Sequence, residues 1–306
     1  MSSELGDVAS DTAESARLFA QHRYAVVGAA YRLLGSLSDA EDVAQETWLR
    51  WAEVPLREVT NPRAYLVRIG TRLALNRLRQ LSRQRESYVG PWLPEPVDDL
   101  SRVGADATLE VAESVSLAML VLLEALSPAE RAAFILHDVF DVPYDEVAST
   151  LDRNAASVRQ LVHRARGRLR ESAPRNPVDS DTHRRVTEQF LRAIQDGSIA
   201  DLVSLMAPDV VLITDGGGLK RAALRPIYGP DKIIRFVAAS LARYDGSASS
   251  FVACEVNGQL GIAVLDRPEG APAVIDSVCV LNLDGNLVTS ILLVRNPEKL
   301  GGLTLR

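Results

Sequence analysis

The sequence predicts a multidomain chain, two all-α domains followed by an α+β domain, and three observations carry that prediction. Helical periodicity runs from about residue 11 to 172, the proline-bearing stretch SAPRNPVDSD (172–181) breaks it, and beyond it helix-like and strand-like segments alternate. At 306 residues the chain is long enough for two or three domains, each with its own core.

The first domain, residues 13–87, opens with a helix expected over 13–34. The second helix begins in GSLSDAEDVAQETWLRWAEV, with Ser38 as expected N-cap and Glu41 three residues on, the pattern of a capping box. The third begins in TNPRAYLVRIGTRLALNRLRQL, where Asn61 can cap and Pro62 takes the first helical position. On it Leu66, Ile69 and Leu73 share one face, and Arg72, Asn76, Arg79 and Arg83 recur at helical spacing on another. One face packs, and the other is free to grip.

Residues 88–112 form a linker whose start, YVGPWLPEPVDDL, carries three prolines around Trp92. The second helical domain spans 113–172. A helix resumes over 105–125, SPAERAAFILHDVF holds a capping box of Ser127 and Glu130, and DVPYDEVASTLDRNAASVRQLVHRARGRLRE reads as a helix-turn-helix turning at 152–154. Leu151, Val158, Leu161 and Val162 supply its small core. After a linker at 173–180, the third domain (181–306) is expected to hold helices at 182–196 and 198–206, a strand at DVVLITD and a helix at GPDKIIRFVAASLARY. Strands near FVACEVN, QLGIAVLD, PAVIDSVCVLNLD and NLVTSILLV, with turns at Asn257-Gly258 and Asp284-Gly285-Asn286, then complete an antiparallel meander curved around the helices.

The net charge of −6 argues against a nucleic-acid partner, but the distribution overrules the total. Only three lysines accompany 31 arginines, a bias that reads as GC-rich coding, so clustering alone counts. Arginines 63, 68, 72, 77, 79, 83 and 85 follow one another with no acidic residue between them, and arginines 153, 159, 164, 166, 168 and 170 form a second group. Two basic patches in an acidic chain read as two small phosphate footprints. In the first, Arg68, Arg72, Arg79 and Arg83 are candidates to hold phosphates. In the second, Ser157, Arg159 and Gln160 lie where a recognition helix reaches base edges; Arg164, Arg166, Arg168 and Arg170 lie further along, where backbone contacts fall. His163 is expected to bond locally or to phosphate. The acidic cluster Asp39, Glu41, Asp42 and Glu46 is either a dock for a basic protein surface or a solvated helix start. Trp48 and Trp51 on the same helix are read as core, with base stacking as the alternative. No basic n-region precedes an apolar run and no window is long enough to span a bilayer, so a cytosolic protein is expected. Cys254 and Cys279 fall in strand-like segments as buried thiols, and no metal or cofactor is expected.

SDAEDVAQETWLRWA, NPRAYLVRIGTRLALNRLR and LSPAERAAFILHDVFDVPYDEVASTL…SVRQLVHRARGRL resemble, in order and spacing, the second and fourth domains of bacterial RNA polymerase sigma factors of the extracytoplasmic-function class. The resemblance covers about residues 13–172. WLPEP (Trp92, Leu93, Pro94, Glu95, Pro96), DGGG (Asp215, Gly216, Gly217, Gly218) and NPEKL, which begins at Asn296 and Pro297, resemble the hallmarks of a subgroup with a fused C-terminal SnoaL-like domain, the sigma-J type; here Leu219 stands between DGGG and Lys220. The resemblance implies an α+β cone with a curved antiparallel sheet, core RNA polymerase and promoter DNA as partners, and no catalysis. It implies that Asp39, Glu41, Asp42 and Glu46 meet the polymerase clamp helices. The loop from about residue 53 to Asn61, with Arg68, Arg72, Asn76, Arg79 and Arg83 after it, would take the melted minus-ten element. Ser157, Arg159, Gln160, His163, Arg164 and Arg166 would meet the minus-thirty-five element. WLPEP is expected to dock near DGGG or NPEKL and so let the C-terminal domain set the placement of the two readers; the alternative is a rigid spacer with Trp92 tucked against a neighbouring helix. A small ligand in the C-terminal cone, an enzyme relying on Asp215, Asp276 or Glu255, and a plain helix-turn-helix repressor stand as other readings, and a separate anti-sigma partner is expected to be absent.

Overall fold

The computed structural model describes residues 2–98, 100, 115–241, 249–267, 270 and 272–304, the side chains of 2–11, 82–84, 241 and 249 apart. The expected linker over 101–112, the helix over 105–114 and the start of the second domain at 113 therefore lie outside the described residues. Two compact units emerge: among the described residues, one holds the chain up to Arg83, residues 100 and 115, and Met119–Ser172, and the other holds residues 84–98, Ser116–Ala118 and the chain from Ala173 onward.

The first unit begins with α1 (Ser2–Leu34), α2 (Leu37–Trp51) and α3 (Pro62–Arg85). The N-cap of α2 is Ser36, which accepts the Asp39 N–H at 3.3 Å, rather than the expected Ser38. Gly35, at φ 67°, turns the chain just before it, so the helix starts two residues earlier than the capping-box spacing suggests. Asn61 caps α3 as expected, its Oδ1 accepting the Ala64 N–H at 3.1 Å. Close packing of α3 on α1 needs Gly70, because a Cβ there would stand 2.7 Å from Val26 Cγ1. Val26, Leu33, Leu66, Leu73 and Trp51 are all buried in this core. Trp51 donates its Nε1–H to the Ser15 carbonyl at 2.9 Å and Trp48 packs on Phe19, so both tryptophans serve packing.

The unit continues with α4 (Leu117–Glu124), α5 (Pro128–Phe134) running into a π-helical turn at Ile135–Val139, α6 (Tyr144–Leu151) and α7 (Ala155–Ser172). The Ser127/Glu130 capping box forms at the start of α5. Asp152, in the left-handed region at φ 53°, makes the turn between α6 and α7, and Val147, Val158, Leu161 and Val162 close the small core. Leu151 is only half-buried.

In the second unit, α8 (Ser180–Gln195), α9 (Ile199–Leu205) and α10 (Pro230–Leu241) accompany a six-stranded sheet of order β2-β1-β6-β5-β4-β3. Its strands are β1 (Met206–Asp215), β2 (Ile227–Tyr228), β3 (Ser249–Val256), β4 (Gln259–Asp266), β5 (Val274–Asp284) and β6 (Leu287–Val294). The meander β3 to β6 is antiparallel as expected, but its last strand returns beside β1 in parallel, pairing Asp215 with Val294. The sheet is therefore mixed, because β1 and β6 are joined by the rest of the domain rather than by a hairpin. A short helix, α11 (Pro297–Leu300), follows β6. Phe190, Leu202, Val210, Ile233, Leu281 and Ile291 are among the buried residues joining helices to sheet. No helix among the described residues is long and apolar enough to cross a membrane.

Candidate functional site

On α3 Arg72, Asn76, Arg77 and Arg79 are exposed, with Asn61 exposed at its cap and Arg68 half-buried. The side chain of Arg83 lies outside the described residues. Arg68 pairs with Glu146 of α6 at 3.2 Å; Arg72 donates Nε–H to the Thr150 carbonyl at 3.1 Å and a second bond to the Ser149 carbonyl. The end of a helix offers unsatisfied carbonyls and the negative end of its dipole, which suits a guanidinium. Asn76 accepts from Arg79 at 2.9 Å. Within the first unit, Arg68 and Arg72, both expected to face DNA, thus bond to the second helical domain. The same contact includes Arg131 on the Leu33 carbonyl at 2.7 Å, and Arg63 over the Phe140 ring. In the acidic cluster, Asp39 pairs with Arg77 at 2.8 Å and Glu46 with Arg50 at 2.8 Å, while Asp42 is exposed and Glu41 half-buried.

Helix α7 shows Arg159, Gln160 and His163 to solvent, and Arg159 stacks over Tyr144. Ser157, half-buried, gives its N–H to Asn154 Oδ1 at 2.8 Å and so belongs to the helix start. Arg164 and Arg168 both reach the buried carboxylate of Glu130, at 2.9 and 2.8 Å, and Arg166 pairs with Asp138 at 2.8 Å. No acid interrupts the basic run from Arg159 to Arg170, yet acids of other helices meet three of its arginines.

The second unit gathers all three short motifs of the tether and the C-terminal domain. Asp215, the last residue of β1, is fully buried and its carboxylate accepts four bonds. They come from Tyr88 Oη–H (2.6 Å), Leu93 N–H (2.8 Å), Gly217 N–H (3.1 Å) and Lys299 Nζ (2.7 Å). Lys299 also donates to the Leu93 carbonyl and lies over the Trp92 ring, 4.1 Å from its centroid, with Arg85 on the same ring at 3.6 Å. Asn296, the N-cap of α11 and 2 % exposed, donates to Tyr88 Oη at 3.0 Å and accepts the Glu298 N–H. Pro297 is exposed at the first turn of α11, while Pro94 and Pro96 are buried and Glu95 half-buried. Further along, Val97 and Asn257 exchange two bonds, of 2.7 and 3.0 Å, and Asp98 accepts two from Thr304. The glycines are the cost of this fit: a Cβ on Gly217, at φ 60°, would stand 2.3 Å from Asn296 Nδ2, and one on Gly216 would stand 2.2 Å from the Lys220 carbonyl. Trp92 thus lies between two cations rather than in solvent. Lys220 bonds Asp276 at 3.0 Å, and Arg295 bonds the same carboxylate at 2.9 Å. Tyr88, Lys299 and Arg295 are site residues that sequence reasoning did not single out; Asn257 was read only as a turn residue and Asp276 only as a candidate acid–base group.

Burial pushes Lys299 down from 10.5 to about 8 despite the neighbouring Asp215, and burial together with the bond to Asp215 raises Tyr88. Between about pH 8 and its ordinary value Lys299 binds fewer protons docked than undocked, so this residue adds stability as pH rises through that window, and its full burial penalty is present below it. The raised Tyr88 acts oppositely, but only above its own ordinary value of 10.0. The unfolding free energy of the protein minus that of Lys299→Met is expected to grow by about 1 kcal/mol between about pH 7 and about pH 9. Urea titration of both proteins checks this, and a flat or falling difference would contradict it.

Two families match the helical unit: Sigma-70 region 2 over residues 18–84 and Sigma-70, region 4 over residues 116–169. Among curated proteins the chain is 36% identical over 289 residues to the ECF RNA polymerase sigma factor SigJ of Mycobacterium tuberculosis strain H37Rv, covering 93% of this chain and 92% of that one. It is 30% identical to the probable ECF RNA polymerase sigma factor SigI of Mycobacterium tuberculosis strain CDC 1551, over 91% of this chain and 92% of the relative. The crystal structure of Mycobacterium tuberculosis SigJ superposes with a TM-score of 0.73 at 33% identity, covering 94% of this chain and 98% of that chain. A helical region 2, a helix-turn-helix region 4 and a C-terminal SnoaL-like α+β domain in this order place the protein in the extracytoplasmic-function family of RNA polymerase sigma factors, the alternative factors of transcription initiation.

Proposed function

We propose that this sigma factor is controlled in cis, through the docking of its WLPEP tether on its own C-terminal domain. The single observation that carries this reading is the Asp215 carboxylate, which ties Tyr88 and Leu93 of the tether to Lys299 and Gly217 of the domain. The tether joins region 2 to region 4, so fixing its first half limits how far apart, and in which direction, the two readers separate. Prolines 91, 94 and 96 stiffen it, lowering the entropy lost on docking.

In this reading Asn61, Arg68, Arg72, Asn76, Arg79 and Arg83 serve the minus-ten element, and Arg159, Gln160 and His163 the minus-thirty-five element. Asp39, Glu41, Asp42 and Glu46 meet core polymerase in the cytoplasm. The hold of Arg68 and Arg72 on α6 supports a resting state of the helical unit, because each guanidinium serves either α6 or phosphate. Polymerase would part the two readers and hold them at promoter spacing, which turns two weak footprints into one strong one. Arg164, Arg166 and Arg168 are engaged by acids of their own domain, which favours a framework role with DNA contact second. Control in cis leaves room for an anti-sigma protein acting in trans.

Catalysis by the C-terminal domain finds little support. The wall of its apolar cavity carries no carboxylate or imidazole among the described residues, and burial pushes the Cys279 thiol there up to about 12. Acid–base work needs a group that titrates near the working pH. Run-off transcription with core polymerase on randomised promoters, comparing the full chain with one ending before residue 181, tests the cis reading. Removal of the domain is expected to change promoter-specific output at least threefold, and unchanged output and promoter choice would refute it.

A further inference from the structure

We propose that the apolar cavity of the C-terminal domain binds a small neutral apolar molecule and that its occupancy is felt at Asp215 and Asn296, where the tether docks. The second half of this proposal rests on the cis reading; the first half does not.

The cavity, about 110 Å³, is walled by Phe190 and Ile194 of α8, Phe236 and Val237 of α10, Leu212 of β1 and Leu293 of β6. Close-packed protein interiors leave few voids larger than a water, and an apolar void of this order stays dry and takes up benzene-sized guests. Polar side chains in the wall are few, chiefly Arg295, Ser240 and Ser277. Arg295 sends Nη2 to Asp276 Oδ2 (2.9 Å) and Nη1 to the Arg221 carbonyl (2.6 Å), and Ser240 donates its hydroxyl to the Phe236 carbonyl (2.8 Å). Asp276 already balances the Arg295 charge, and burying a further carboxylate among mostly apolar side chains is costly, so the cavity suits a neutral guest.

The route to the tether is covalent and short. Leu212 lies in the wall and Asp215 follows three residues on; Leu293 lies in the wall and Asn296 follows three residues on. The two strands run in parallel and in register, Ile213 beside Leu292 and Asp215 beside Val294. Arg295 and Asn296 both give their N–H groups to the Asp215 carbonyl, at 2.7 and 2.9 Å. A guest that spreads Leu212 and Leu293 therefore acts on the two strand ends that hold Tyr88 and Leu93.

The experiment uses the full chain with toluene as probe and benzoate as its charged counterpart. Toluene is expected to bind saturably and to raise the melting midpoint by roughly 2–4 °C at about tenfold excess over its Kd, whereas benzoate leaves it unchanged. Val237→Phe and Ile234→Phe, each filling the cavity from α10, are expected to abolish the toluene effect while keeping the wild-type circular dichroism. No shift with toluene, an equal shift with benzoate, or an undiminished shift in whichever filled variant folds would overturn the binding site. Hydrogen exchange at the Leu93 amide, bonded to Asp215 in the unliganded protein, reads the coupling: saturating toluene is expected to change its protection at least threefold. Saturable binding with unchanged Leu93 protection would overturn the coupling alone. The cis reading stands or falls separately, on transcription by the truncated chain.

Discussion

Asp215→Asn is expected to release the tether while leaving the C-terminal domain folded. The amide keeps one oxygen, enough for Tyr88 Oη–H, but its NH2 then faces two other donors, the Leu93 N–H and the Lys299 ammonium. Lys299, its side chain 12% exposed, loses its countercharge at the same time. Breaking one side of a buried ion pair costs about 3–5 kcal/mol, far more than the pair itself contributes. The bonds that knit β1 to the β6 end run through the Asp215 backbone carbonyl and survive the change. The cost falls on docking alone, so the Leu93 amide is expected to exchange at least about a hundredfold faster, with little change for amides of β4 and β5. Hydrogen-exchange mass spectrometry on peptides over residues 84–98 measures it. In run-off transcription the variant is expected to move in the same direction as the truncated chain. Wild-type exchange at Leu93 would show that Asp215 does not hold the tether, whatever transcription did.

The arrangement behind that experiment was partly legible. Prolines around Trp92 pointed to a docking segment, and DGGG and NPEKL to where it would dock; the structure adds that the Asp215 carboxylate joins them and also takes the Gly217 N–H of its own turn. The lysines were the missed signal. In a chain with 31 arginines, Lys299 and Lys220 are two of only three lysines, and each meets a buried aspartate. A compact ammonium with three N–H donors reaches the Trp92 ring, the Leu93 carbonyl and Asp215 at once. The parallel pairing of β1 with β6 was hidden because periodicity marks strands but not their neighbours. The capping-box spacing misplaced the start of α2 because the turn at Gly35 decides it. Arginine partners were hidden for a similar reason: an acid-free helix says nothing about acids on the helix packed against it.

That last point sets the second large prediction, Glu130→Ala. The arginines of α7 read from sequence as one DNA-facing run, Arg159 toward base edges and Arg164, Arg166, Arg168 and Arg170 toward the backbone, in which Glu130 has no part beyond its capping box. In the fold Glu130 is 3% exposed and its carboxylate accepts Ser127 N–H (3.1 Å), Ser127 Oγ–H (2.7 Å), Arg164 Nε (2.9 Å) and Arg168 Nη1 (2.8 Å). Burial alone would raise its pKa, but the bonds from Ser127 and Arg164 outweigh it and hold the group below 4.5, so its contribution is present above that value and lost as pH falls through the depressed one. Truncation to alanine removes half of the capping box and unties the start of α5 from the middle of α7, together costing about 2–4 kcal/mol. Because α5 is the helix on which the recognition helix rests, the loss is expected as a fall of roughly 5–12 °C in the melting midpoint of the helical unit, with weaker binding at the minus-thirty-five element from disorder. Arg166→Ala, which breaks an ion pair whose arginine is half-exposed, is expected to change stability by no more than about 1 kcal/mol. The salt dependence of promoter binding separates the readings. If Arg164 and Arg168 are framework, Arg164→Gln leaves the log–log slope with salt unchanged; if they are phosphate contacts, it lowers the slope by about 1 and Glu130→Ala, which frees them, tightens binding instead of weakening it.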